Sequence, residues 1–327
     1  MRWLRLALMG VVCAAAFSSP SPLRARDYPT RPITLVVPFP PGGPTDTFGR
    51  IMADYMSQAL GQPIVIENIG GANGTIGMGR LARADPDGYT IGIGQWSTNV
   101  VNGAVYDLPY DLLLDFAPVA RLVSGPQLLV VNNKVPANNL MEFIGWLKAN
   151  PGKALQATAG VGSQQHVSGV YFQSATKTDF HFIPYRGAAP AMQDLMADQV
   201  DFMFDQVANS LPAVRAGRIK ALGVTAKARL ASAPEIPTFE EAGLPNFTIS
   251  VWHGLWAPAG TPKEIIDQLS DAAMDAMADP DVAVRFHELG QDIPPADEQT
   301  PRAFAAFQKA EIEKWWPLIK AAKIKSQ

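Results

Sequence analysis

Strand-like and helix-like segments alternate along most of this chain, and short turns join them. Residues 33–39 (ITLVVPF) form an apolar, β-branched run, which predicts a buried strand. Residues 45–61 (TDTFGRIMADYMSQALG) predict a helix that ends at Gly61. The alternation continues to about residue 225, and from Pro262 onward the pattern is nearly all helical. This pattern indicates an α/β protein with a parallel sheet and helices on both faces.

The first 25 residues have the three parts of a secretory signal peptide. MRWLR is basic, LALMGVVCAAAF is apolar, and a small, polar stretch leads to a cleavage position near Ala25. A membrane span is the alternative, but a span needs about 18 or more apolar residues. We therefore expect an exported protein that works in the periplasm.

Charge and composition exclude several classes of function. Without residues 1–25 the chain has 24 basic and 30 acidic residues and no basic tract, which argues against nucleic-acid binding. Cys13 is the only cysteine, so the folded part is expected to have neither a disulfide nor thiol chemistry. The four histidines lack metal-site spacing, and we predict neither a metal nor a cofactor.

A Gly- and Pro-rich turn, PFPPGGPTD, joins the first predicted strand to the first predicted helix. Ligands of open α/β sheets bind at the carboxyl ends of strands, and a helix N-terminus offers unpaired N–H groups. Gly42 and Gly43 would let an anion approach those groups, and Thr45 is expected to cap the helix. A capped tight turn without a ligand is the alternative.

A second turn, in ATAGVGSQQHVSG, has the same design. Gly162 leaves the backbone accessible, Ser163 is expected to cap the next helix, and His166 follows in its first turn. Asp205 ends another predicted strand, where a carboxylate could reach a cleft or simply face solvent. Two such turns could face one anion from opposite sides.

An enzyme is the rival class of function. Ser163 and His166 are three positions apart and could touch as nucleophile and base. The chain has no G-x-S-x-G elbow, and no third residue is evident to orient the histidine. A Ser/His hydrolase is therefore the weaker hypothesis, and we predict a protein that is not an enzyme.

The chain resembles the Bug family, the exported solute-binding proteins of tripartite tricarboxylate transporters. Segments that match this family run in order through the part that follows the signal peptide: YPTRPITLVVPFPPGGPTD, GQPIVIEN, ARADPDGYT, LPYDLLLDFAPVA, NPGKALQATAGVGSQQH, FIPYRGAAPAMQDLMADQVDFMFD, AGRIKALGVT, PEIPTFEEAGLP and WHGLWAPAGTP.

The resemblance implies a two-lobed clamshell of the type II periplasmic-binding-protein kind. Each lobe would be a mostly parallel sheet flanked by helices, with the ligand between the lobes. Residues 27–123 and 235–327 would form lobe 1, and residues 124–234 would form lobe 2. Transferred by position, the ligand-binding residues of lobe 1 would be Phe39, Pro41, Gly42, Gly43, Thr45 and Asp46, and those of lobe 2 would be Gly162, Ser163, Gln164, His166, Arg186 and Asp205.

The third strand leads into QWSTNVVNG, which departs from the family pattern. Thr98 and Asn102 match that pattern, whereas Gln95, Trp96 and Asn99 do not. Because this turn is expected to line the cleft, Trp96 and Thr98 join the candidate ligand-binding residues. Trp96 would give the pocket an aromatic wall; the alternative is that it packs on its own lobe.

The function that the resemblance implies is capture of a small carboxylate, with a dicarboxylate or an aromatic carboxylate favoured. The closed protein, expected to be a monomer, would deliver this ligand to the membrane permease subunits of a tripartite tricarboxylate transporter. The alternative partner is a membrane histidine kinase to which the protein would present its ligand.

Overall fold

Nine strands form two connected sheets in the part of the chain that the computed structural model describes, residues 28–325. The predicted signal peptide, residues 1–25, lies outside the described residues. The strands are β1 (Ile33–Val37), β2 (Ile64–Asn68), β3 (Thr90–Gln95), β4 (Phe116–Asn132), β5 (Leu155–Thr158), β6 (His181–Pro184), β7 (Phe202–Gln206), β8 (Ile219–Val224) and β9 (Ser250–Pro258).

Helices cover both faces of the sheets, as the alternating pattern predicts. The first helix ends at Gly61, whose left-handed conformation (φ 67°) suits glycine. The helices are α1 (Pro44–Leu60), α2 (Thr75–Ala82), α3 (Asn102–Val105), α4 (Leu140–Ala149), α5 (Gln164–Thr176), α6 (Ala188–Met196), α7 (Val207–Arg215), α8 (Lys263–Ala278), α9 (Pro280–Glu288), α10 (Ala296–Gln299) and α11 (Pro301–Ala321).

One long strand, β4, belongs to both sheets. Its first part pairs antiparallel with β9, from Phe116 to Pro126, and completes the first sheet in the order β2-β1-β3-β9-β4. Its last six residues, from Gln127, pair antiparallel with β7 on one side and β8 on the other. The second sheet continues through β5 to β6. The molecule therefore has two lobes, each built on one sheet, which confirms the two-lobed α/β fold.

The two sheets are mixed because of β4 and β9. β1 pairs in parallel with β2 and β3, and β5 pairs in parallel with β6 and β7. Every pair that involves β4 or β9 is antiparallel. These two strands carry the chain from one lobe to the other. Each runs opposite to every strand with which it pairs.

Apolar residues pack on both faces of each sheet. In the first lobe α1, α8 and α9 cover one face, and α2 and α11 cover the other. In the second lobe α4 and α5 pack with one apolar cluster, and α6 and α7 pack with another. Because both faces are covered, the central parallel strand β1 is almost entirely apolar and buried (ITLVV), whereas the edge strand β2 (IVIEN) has exposed residues.

Residues 235–249 lie against the second lobe. The N–H of Phe239 donates to the carbonyl of Val224 at 3.1 Å, and the N–H of Ile249 donates to the carbonyl of Thr225 at 3.1 Å. The Phe239 and Phe247 rings stack with centroids 4.8 Å apart inside the same apolar cluster. These contacts favour a return to the first lobe near Ser250, at the start of β9, rather than at residue 235.

Within residues 28–325, no helix combines the length and the hydropathy needed to cross a membrane.

Candidate binding site between the lobes

A small cavity lies where the two lobes face each other. Its volume is about 20 Å³, and one water molecule requires roughly 10–15 Å³. The lobes are therefore closed, and they must part to admit any larger ligand. The lining residues are Phe39, Pro40, Gly43, Pro44, Thr45 and Gln95 from the first lobe and Ala159, Gln164, Gln165, Ala188 and Gln206 from the second.

Three helix N-termini converge on this cavity. Gly43 caps α1, Gln164 begins α5 and Ala188 begins α6, and all three residues line the cavity. The first-turn N–H groups of a helix have no partner within the helix and carry a partial positive charge. None of the lining residues within 28–325 is charged. The electrostatic character of the cavity therefore comes from backbone dipoles, which favour an anion.

The first of these turns is held in place by Asp46. One carboxylate oxygen accepts from the N–H of Gly42 at 2.9 Å and the other accepts from Asn68 at 2.9 Å. Arg50 donates to both oxygens at 3.0 Å. Asn68 also donates to the carbonyl of Phe39 at 3.0 Å. Asp46 is buried, and its hydrogen bonds fix the turn.

Thr45 does not cap α1, which corrects the sequence prediction. The helix begins one residue earlier, at Pro44, with Gly43 in the capping position. The Thr45 hydroxyl lies 3.2 Å from Nε2 of His253. Burial lowers the pKa of His253 to about 3, so this ring is neutral. Thr45 thus lines the cavity and joins α1 to β9.

The second turn has the predicted cap at Ser163. Its hydroxyl accepts from the N–H of His166 at 3.3 Å, and Nδ1 of His166 accepts from the N–H of Gly162 at 3.1 Å. Burial lowers the pKa of His166 to about 4. Within residues 28–325 no hydrogen bond joins the Ser163 hydroxyl to the imidazole. In this geometry both side chains accept backbone N–H groups and stabilise the turn.

Three glutamines meet across the cavity. Nε2 of Gln206 lies 3.4 Å from Oε1 of Gln95 and 3.2 Å from Oε1 of Gln164. Gln95 belongs to the first lobe, and the other two belong to the second. Oε1 of Gln206 and Oε1 of Gln165 are buried and have no hydrogen-bond partner among the described residues. The contact between Gln206 and Gln95 is a direct side-chain link between the lobes.

Asp205 is fully buried and is absent from the residues that line the cavity. It precedes Gln206 in β7, and successive side chains of a strand point to opposite faces. Its carboxylate accepts from Asn209 at 2.6 Å. Burial raises the pKa of Asp205 to about 7, although hydrogen bonds from Asn209 and the N–H of Gln206 oppose that shift.

Trp96 and Thr98 lie in the interior of the first lobe. The Trp96 indole is 1% exposed and contacts the Trp315 ring edge-to-face at 4.8 Å. The Thr98 hydroxyl lies 2.9 Å from both the N–H and the carbonyl of Gln95. In this closed conformation Trp96 has the packing role that was the alternative to an aromatic wall, and Thr98 shapes the end of β3.

The remaining predicted residues differ in their position. Phe39, Gly43, Thr45 and Gln164 line the cavity. Pro41 and Gly42 are exposed on the first turn, and Arg186 is exposed just before Gly187, which caps α6.

Sequence reasoning missed seven lining residues: Pro40, Pro44, Gln95, Ala159, Gln165, Ala188 and Gln206. The signal was available for two of them, because Gln95 and Gln206 are the last residues of β3 and β7. The rule that ligands bind at the carboxyl ends of strands applies to both. For β7 it was applied one residue too early, at Asp205.

A two-lobed α/β fold with a polar cavity between its lobes defines a class, the solute-binding proteins. Residues 48–324 match the family model described as "Tripartite tricarboxylate transporter family receptor". The chain belongs to this family, and the matched residues include both lobes.

Proteins that carry the Bug name are among the relatives. The chain is 34% identical over 324 residues to Protein BugT of Bordetella pertussis, with 98% of each chain covered. It is 38% identical to the solved periplasmic binding protein BugD, with a TM-score of 0.88 and coverage of 91% of this chain and 100% of that one. The resemblance to the Bug family is confirmed.

Two other solved structures hold a carboxylate. MatC from Rhodopseudomonas palustris, described with bound malate, is 38% identical with a TM-score of 0.85, covering 89% of this chain and 100% of that one. The R. palustris protein Rpa4515, described with adipate, is 32% identical with a TM-score of 0.87, covering 92% and 100%.

Proposed function

We propose that this protein captures a small carboxylate between its lobes in the periplasm and delivers it to the membrane subunits of a tripartite tricarboxylate transporter. The observation that carries the proposal is the convergence of the N-termini of α1, α5 and α6 on an uncharged polar cavity. The family and the malate and adipate of its relatives support the same ligand class.

In this proposal the helix N-termini hold the carboxylate and the closing of the lobes buries it. The N–H groups of α1 approach from the first lobe, and those of α5 and α6 approach from the second. Hydrogen bonds to a charged group are stronger than neutral ones, and the exclusion of water strengthens them further. A ligand that touches both lobes favours the closed state because it binds that state more tightly.

We place the division between the lobes at Pro126 and Ser250. Residues 28–126 and 250–325 would form one lobe and residues 127–249 the other. The contacts of Phe239, Phe247 and Ile249 with the second sheet support this division. We further propose that the protein is exported after removal of residues 1–25 and works as a monomer.

A thermal-shift screen of the chain from residue 27 tests the ligand class. A ligand that binds only the folded state raises the melting temperature by mass action. The panel would contain aliphatic mono-, di- and tricarboxylates and aromatic carboxylates, with the matching primary alcohols as controls. A shift with carboxylates and none with alcohols is expected. A panel in which no carboxylate shifts the melting temperature would contradict the proposal.

A further inference from the structure

We propose that Gln206, with Gln95, selects a carboxylate that also carries a neutral hydrogen-bond donor, a hydroxyl or a primary amide, over the corresponding plain dicarboxylate. This inference rests on the proposed function and concerns the part of the ligand that lies beyond its first carboxylate.

The polar side chains that line the cavity are all neutral. They are the Thr45 hydroxyl and the amides of Gln95, Gln164, Gln165 and Gln206. The converging helix N-termini can offset one carboxylate. The described lining residues include no lysine or arginine that could pair with a second carboxylate. A second ionised group would lose its hydration without gaining an opposite charge, which is costly in a buried site.

The cavity also contains acceptors that require a donor. Nε2 of Gln206 faces two oxygens, those of Gln95 and Gln164, which leaves Oε1 of Gln206 without a partner. The reversed orientation of the Gln206 amide would instead leave its Nε2 donor in that buried position. Oε1 of Gln165 is a second buried acceptor without a partner, and its orientation is fixed because the Gln165 amide donates to the Asp205 carboxylate. An unpaired buried acceptor costs free energy until a ligand satisfies it.

The surroundings of Gln206 strengthen the preference. Asp205 precedes it in the strand and is fully buried, with the side chains of Asn209 and Gln165 and the N–H of Gln206 as hydrogen-bond donors. Any charge on this carboxyl is negative and would repel a second carboxylate nearby. Arg186 is exposed outside the cavity lining, so it gives no buried positive charge to compensate.

Matched ligand pairs test the inference by isothermal titration calorimetry. Succinamate is succinate with one carboxylate replaced by a primary amide. 3-Hydroxybutyrate is butyrate with one added hydroxyl. The member with the neutral donor is expected to bind about five- to tenfold more tightly, which corresponds to one added buried hydrogen bond. Equal or weaker binding of the donor-bearing members, with carboxylate binding otherwise intact, would overturn the inference and leave the proposed function standing. No binding by any of the four would overturn the inference, and only the absence of a shift across the whole carboxylate panel would overturn the proposed function as well.

Two variants locate the effect. Gln206→Met has a similar volume and removes the acceptor, so the preference within each pair is expected to fall below about twofold. Gln206→Glu keeps an acceptor and adds charge, so it is expected to bind succinate still more weakly than succinamate. Gln193→Met changes an exposed glutamine on α6 and serves as the control. An unchanged preference in both Gln206 variants, each with a normal melting temperature, would show that another group makes the selection.

Discussion

Asp46 is a buried carboxylate that holds the first turn in place without lining the cavity. Burial alone would raise its pKa, but hydrogen bonds from Arg50, the N–H of Gly42 and Asn68 outweigh burial and hold the pKa below its usual value. Both oxygens are engaged with these donors. We therefore interpret Asp46 as a positioning residue, not as a ligand contact.

Asp46→Ala is expected to destabilise the fold and to weaken carboxylate binding. The variant removes the acceptor of the Gly42 N–H and one acceptor of the Asn68 amide, at about 1 kcal/mol for each partly buried hydrogen bond. Denaturant unfolding and calorimetric titration would measure both effects. Asp54→Ala, at an exposed position of the same helix, is the control. Unchanged ligand affinity in Asp46→Ala would show that the turn does not need this anchor.

Asp205 is expected to make the stability of the protein fall as the pH rises from about 4 to about 7. Its folded pKa, about 7, exceeds the ordinary value of 3.8. In that window the folded state binds more protons than the unfolded state, so deprotonation favours unfolding. Asp205→Asn removes this contribution, and its stability relative to the wild type is expected to increase between about pH 4 and about pH 7.

Urea unfolding of both proteins across this range measures the difference. Asp271→Asn, at an exposed position of α8, is the control for the removal of one charge. A difference between Asp205→Asn and the wild type that stays constant with pH would contradict the expectation.

At the scale of single residues, the sequence located the right turns more reliably than the right side chains. Phe39, Gly43, Thr45 and Gln164 line the cavity because each lies in a strand-to-helix turn or in the first turn of the helix that follows. Trp96 was harder to place, because its direction depends on packing against Trp315, more than 200 positions away along the chain. No local pattern carries that information.

Among the secondary-structure elements, α5 combines an N-cap with the proposed anion site. Ser163 caps the helix, and Gln164 and Gln165 in its first turn line the cavity. A side chain at the cap therefore affects both the stability of the helix and the affinity for a charged ligand. The two effects can be separated, because asparagine and aspartate are equally good caps of equal size.

Ser163→Asn and Ser163→Asp are expected to have similar stability and different ligand affinity. Both side chains can accept the N–H of His166, but only aspartate brings a negative charge to the place where the carboxylate would bind. We expect at least tenfold weaker carboxylate binding in the aspartate variant, equivalent to about 1.4 kcal/mol. Thermal melts check the cap and titration checks the affinity. Equal affinity of the two variants would place the anion elsewhere.

The sequence predicted most elements, but it missed β9 and the first half of β4. That half, FAPVARLVSG, contains Pro118, Arg121 and Gly125, which interrupt the apolar pattern of a strand. It forms a strand because it pairs with β9, with shifts of register after Pro118 and Arg121. Strand formation depends strongly on the partner strand, and this partner lies more than 120 residues away.

For the molecule as a whole, closure brings Gly187 of the second lobe against Pro40 of the first. A Cβ atom on Gly187 would lie 2.8 Å from Cδ of Pro40. The φ of Gly187 is 172°, an extended value that any residue can adopt. An added methyl group would therefore strain the closed arrangement and leave the second lobe itself unstrained.

Gly187→Ala is expected to favour an open form and to weaken ligand binding without lowering the melting temperature of the free protein. Small-angle scattering would report a larger radius of gyration, and titration would report the affinity. Gly145→Ala is the matched control, because a Cβ there meets no atom within 4 Å. A variant as closed and as tight-binding as the wild type would show that the lobes can adjust around this contact.

The sharing of β4 has a calorimetric consequence. Since this strand supplies hydrogen bonds to both sheets, melting either lobe alone would leave unpaired backbone groups in the other. We expect a single heat-absorption peak whose calorimetric and van't Hoff enthalpies agree. Two separable peaks would show that the lobes melt independently. If the single peak is observed, one ligand bound at the cavity would move the melting of the entire chain.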